Sequence, residues 1–108
     1  MKYNILPLVK ENDLNKVLKN QKYSGEDIHI LFLSLWDKYS TELQDKISKR
    51  YSNSDKFGQK LYTVDSFNMP HSFVIFNTTK VPSLVSLVKG KVVIEDYLPK
   101  IYSKFKIS

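Results

Sequence analysis

Residues 27–41, DIHILFLSLWDKYST, decide the fold. Residues 27–35 form a nearly unbroken apolar run of strand length, and a strand that is apolar on both sides has to be covered on both faces. The run therefore reads as a central strand with helices to either side. It stops at Trp36, and Asp37-Lys38-Tyr39-Ser40 follow at once. Beyond them, residues 41–51 (TELQDKISKRY) repeat Leu43, Ile47 and Tyr51 at intervals of four, which predicts an amphipathic helix. A strand that runs through a short polar tetrapeptide into a helix is a place where chemistry is often found.

The flanking segments alternate in type. Residues 3–9 (YNILPLV) are strand-prone, and Pro7 suits an edge strand. Residues 11–20 (ENDLNKVLKN) set Leu14, Val17 and Leu18 at helical spacing, with residues 22–25 as the stop. Residues 51–58 (YSNSDKFG) read as a long polar loop, and residues 60–65 (KLYTVD) as a second buried strand ending at Asp65. Residues 70–78 (PHSFVIFNT) pull two ways. Pro70 suits a first helical turn, whereas Phe73-Val74-Ile75-Phe76 has strand propensity; a short helix is expected. Residues 83–88 and 91–95 form a hairpin about Lys89-Gly90. A last helix over residues 96–106 carries Leu98, Ile101, Tyr102 and Phe105, with Pro99 near its start. The order βαβαβαββα predicts an α/β fold: a central mixed sheet of about five strands, right-handed crossovers, and helices on both faces.

Length and composition bound the rest. With 108 residues, 42% of them hydrophobic, the expectation is one domain spanning residues 1–108. There is no cysteine. Disulfides, thiolate nucleophiles, cysteine-ligated zinc and intrinsic dithiol chemistry are thereby excluded. The histidines are His29 and His71, at no ligand-like spacing, so neither a metal nor a cofactor is expected. No apolar window reaches the roughly 18–20 residues of a membrane span, and residues 1–4 do not begin a signal peptide. A cytoplasmic protein with no membrane partner is expected. The net charge of +6 comes from sixteen lysines and one arginine, Arg50, spread along the chain. Base-reading proteins lean on arginine, so dispersed lysine suits a solvated surface more than a nucleic-acid interface.

The order of elements, with Trp36 ending the second strand and Val81-Pro82 before the hairpin, resembles the thioredoxin family over essentially the whole chain. In that family the second strand ends in an aromatic residue followed by Cys-x-x-Cys at a helix start. Asp37 and Ser40 stand where the two cysteines would be. Val64-Asp65 with Asn68-Met69-Pro70 is similar to elements that follow the third strand, though with extra residues between them. Val81-Pro82-Ser83 looks like the segment whose proline is cis and faces the redox motif, and Gly90 follows Pro82 by eight positions, as the hairpin glycine does. The buried acid that many relatives carry in the second strand is replaced by Leu31. The resemblance thus implies a redox-inactive thioredoxin-like protein, its scaffold kept for another purpose.

Candidate residues carry plain readings beside sharp ones. Asp37 is an acid in a site or the N-cap of the next helix; capping is favoured, because aspartate caps well and suits the positive helix end. Ser40 lacks a neighbouring base and is no nucleophile. Trp36 is a partner anchor or half-buried packing against the following loop, and Tyr39, at the tip of the tetrapeptide, is expected to be exposed. The resemblance implies a cis Pro82, with the backbone of Val81 open to an extended peptide, or a purely structural turn. His29 is expected as a satisfied core histidine and His71 as an exposed first-turn residue. Asp65, at its strand end, contacts the Trp36 loop or caps a turn, and the turn is favoured. No catalytic set of base, nucleophile and orienter can be assembled, so an enzyme is not expected. The leading expectation is a protein-binding or assembly module acting through Trp36, Asp37, Lys38, Tyr39, Ser40, Val81, Pro82 and Ser83. The alternative is a nucleic-acid-associated accessory protein using the lysines.

Overall fold

The chain folds as β1 (Tyr3–Pro7), α1 (Glu11–Ser24), β2 (Ile28–Leu33), α2 (Lys38–Arg50), β3 (Gln59–Asp65), α3 (Ser72–Ile75), β4 (Ser83–Val88), β5 (Lys91–Glu95) and α4 (Leu98–Phe105). This is a computed structural model describing residues 2–52 and 56–107. Residues 53–55, the middle of the loop expected over 51–58, lie outside the described residues.

The strands form one sheet in the order β1-β3-β2-β4-β5. β3 runs parallel to both β1 and β2, whereas β4 runs antiparallel to β2 and β5 antiparallel to β4. β2 is central, and all six of its residues are buried, as its double-sided apolar run requires. Alternate residues divide between two cores. Leu31 and Leu33 face α2 and α4, meeting Leu43, Ile47, Ile101 and Phe105. Ile28, Ile30 and Phe32 face α1 and α3, meeting Leu14, Met69, Phe73 and Phe76.

Boundaries depart from the sequence reading where polar residues hide the period. α1 continues through Ser24 until Gly25 turns left-handed, at φ +66°, and its N–H closes on the Gln21 carbonyl. α2 starts at Lys38 rather than Thr41, because Asp37 is its N-cap: the carboxylate Oδ2 accepts the Ser40 backbone N–H at 2.8 Å. Lys38, Tyr39 and Ser40 are therefore the first turn of a helix, not a loop. α3 is a single turn, and α4 opens two residues later than expected, with Pro99 inside its first turn. The Lys89-Gly90 turn carries φ of +52° and +76°, the backbone of a type I′ hairpin. Its Lys89 N–H is anchored to Asp27 Oδ1 at 3.1 Å.

Candidate functional site

Parallel β2 and β3 end on the same side of the sheet, and antiparallel β4 starts there, with Phe32 opposite Ser83. The Trp36 turn, the loop after Asp65 and the Val81-Pro82 segment thus share one end of the molecule. The turn is closed by the Asp37 N–H donating to the Ser34 carbonyl at 3.1 Å, and the Ser34 hydroxyl accepts the Trp36 N–H at 3.3 Å. Leu35 and Trp36 occupy its two central positions, and their side chains point away from the core; Trp36 is 84% exposed.

Asp65 holds this surface together. One carboxylate oxygen accepts the Leu35 N–H at 3.1 Å, and the other accepts those of Phe67 and Asn68 at 3.1 and 3.3 Å. Both readings of Asp65 hold together: the side chain caps the turn after β3, and it also fastens the Trp36 turn. Phe67, 67% exposed, is brought to the same end by this clamp, and Tyr39 adds a third exposed ring from the first turn of α2.

The remaining candidates lie deeper. Asp37 is half-buried in its capping role and Lys38 is exposed. Ser40 is fully buried, and its hydroxyl has no hydrogen-bond partner among the described residues. The Val81–Pro82 peptide is cis; Val81 is half-buried, Pro82 buried, and the Ser83 hydroxyl, also buried, donates to the Lys80 carbonyl at 2.7 Å. Direct contact through Ser40, Pro82 or Ser83 side chains is closed off by this burial. Leu35 and Phe67 are the residues that sequence reasoning missed. The available signals were a serine heading the turn before Leu35 and the Asp-Ser-Phe-Asn sequence after β3, both turn chemistry.

The histidines lie away from this end. His29 is buried beside Tyr3; its Nε2 meets Gln59 Oε1 at 2.6 Å and its Nδ1 meets Ser86 Oγ at 2.8 Å. A neutral ring protonated on Nε2 satisfies both contacts, donating to Gln59 and accepting from Ser86. Burial holds its pKa below the usual histidine value. His71 is exposed just before α3, where its backbone N–H donates to Glu11 Oε1 at 3.1 Å. Among the described residues no group of three or more His, Asp or Glu could hold a metal, and no helix is long and apolar enough to cross a membrane. The lysines fall on α1, α2, β5 and α4 alike rather than on one face of one element.

No protein-family model matches the chain, and no curated protein matches it in sequence. Solved structures do resemble it. Schistosoma mansoni thioredoxin superposes with a TM-score of 0.72 at 15% identity, over 95% of this chain and 94% of that one. Oxidized thioredoxin O2 from Arabidopsis thaliana gives 0.71 at 16%, over 95% and 92%. Trypanosoma brucei brucei thioredoxin gives 0.68 at 13%, over 95% and 88%. The fold is thioredoxin-like. Without cysteine, the chain carries out no thiol-disulfide exchange of its own.

Proposed function

We propose that the chain is a non-redox protein-binding module that recognises its partner through Leu35, Trp36, Tyr39 and Phe67, beside the Val81-Pro82 segment. The observation that carries this reading is the exposure of a tryptophan on a turn fixed from three sides, by Ser34, Asp37 and Asp65. Anchors of this type dominate binding energy, and a pre-ordered anchor loses little entropy on docking. Asp37 and Lys38 form the polar rim of the surface. In this reading Ser40, Pro82 and Ser83 shape it from beneath.

The test is affinity capture from the native host with wild type, Trp36→Ala and Phe67→Ala, each variant checked for folding by circular dichroism. Both side chains are exposed, so folding should be retained, with stability within about 0.5 kcal/mol of wild type. A partner held by the wild type should be lost from both variants. Equal recovery by all three proteins would remove this surface from the proposal.

A further inference from the structure

β5 is the outermost strand of the sheet and pairs with β4 alone. Its sequence is Lys-Val-Val-Ile-Glu, and Val92, Val93 and Ile94 are 54%, 56% and 49% exposed, so both faces of the strand are about half open. Three consecutive β-branched residues on an open edge make a template for another strand. Edges are often guarded by charged side chains, and where like charges meet they repel a second copy. Here the signs are opposite at the two ends: Lys89 and Lys91 precede the apolar run, and Glu95 and Asp96 follow it.

The hairpin determines which backbone groups are free. Val88 and Lys91 flank the two-residue turn and form a hydrogen-bonded pair, and pairs alternate from there. Lys91, Val93 and Glu95 direct their N–H and C=O groups at β4, whereas Val92 and Ile94 direct theirs at the open edge. A second strand must set its own outward groups against those two residues. An antiparallel copy of β5 does so when the two-fold axis passes beside Val93. Val92 then faces Ile94 of the second copy, giving four backbone hydrogen bonds by symmetry, and Lys91 faces Glu95 of the second copy at both ends.

Other registers are poorer. A one-residue slip opposes outward groups to inward ones. Moving the axis to Val92 or Ile94 leaves Lys91 opposite Val93 or Tyr97. Glu95 accepts the Tyr97 N–H through Oε2 at 3.1 Å, which leaves Oε1 for the lysine. Val92 and Ile94 stand opposite Leu87 and Val85, so the pairing would also extend the apolar face beneath α1 and α3 from one copy to the next.

We infer that the chain self-associates edge to edge through β5, forming an isologous dimer with a continuous ten-stranded sheet, in the register that pairs Lys91 with Glu95 across the two-fold axis. The contact is short, so the dimer is weak and concentration-dependent. Sedimentation equilibrium tests it. The weight-average mass of the wild type should rise toward twice the monomer mass as concentration approaches about 1 mM. Lys91→Glu and Glu95→Lys each place like charges together at both ends, and each should weaken the dimer about tenfold. The double exchange K91E/E95K restores both pairs and should return affinity to within about twofold of the wild type. Circular dichroism confirms that each variant is folded. A wild type that stays monomeric, single variants that associate as well as the wild type, or a double exchange as weak as the singles would each overturn the inference.

Discussion

The two ends of β2 are finished differently. Near its start, His29 is buried with both ring nitrogens engaged, by Gln59 from the neighbouring β3 and Ser86 from β4. Past its other end, Ser40 is buried and its hydroxyl has no hydrogen-bond partner among the described residues, while Leu35 and Trp36 turn outward. Buried polar groups that are fully paired specify structure, whereas a buried hydroxyl left unpaired costs stability. The contrast teaches that the His29 end serves the fold, and that the Trp36 end tolerates arrangements that stability alone would not select.

Replacing His29 with Ala should have the largest effect, a loss of about 3 kcal/mol in urea denaturation, because it opens a cavity and strands Gln59 and Ser86. The wild type should also show a pH dependence that the variant lacks. The folded-state pKa of His29 is lowered, so as pH falls below about 6.5 the unfolded chain takes up a proton that the folded chain resists. This stability is present above the unfolded pKa and is lost as pH drops toward the folded one. Denaturation midpoints at pH 7.5 and 5.5 measure it, and equal slopes for wild type and variant would dissolve the contrast between the two ends.

Asp65→Ala comes next, with an expected loss of about 2 kcal/mol, since three backbone N–H groups lose a charged acceptor. Hydrogen exchange should quicken at Leu35, Phe67 and Asn68, and unchanged exchange there would show that Asp65 does not clamp the surface. Ser40→Ala should have the smallest effect and the opposite sign, a gain of about 1 kcal/mol, since it deletes an unpaired hydroxyl while the Asp37 cap, made to the backbone, stays. A loss of stability instead would mean that the hydroxyl is in use.

Much of the architecture was legible because two signals are local and strong. The double-sided apolar run of β2 reads as central, and Lys89-Gly90 between two strand-length apolar runs reads as a hairpin. Helix starts were harder to read. Lys38-Tyr39-Ser40 has no apolar period, so α2 became visible only at Leu43, and the cap bond from Asp37 fixed its true beginning. In the single turn of α3, Phe73 and Phe76, three residues apart, pack on Phe32 while Val74 and Ile75 stay exposed, and four consecutive apolar residues hide that helical spacing in the sequence.

The site was half legible. Trp36 and Asp37 stand out by type and position, but an apolar residue at a strand end reads alike whether it dives into the core or turns away. Leu35 and Phe67 therefore escaped notice, as did the half-open faces of β5. Exposure at these places is a property of what fails to cover them, and one strand's sequence does not record its missing neighbours.

Trp36 is the sole tryptophan of the chain. Its indole already sits in water in the native state, so unfolding changes its surroundings little, whereas anything seated on the turn changes them greatly. The protein's intrinsic fluorescence thus reports occupancy of the proposed surface and is nearly blind to denaturation, the reverse of what a lone core tryptophan would provide.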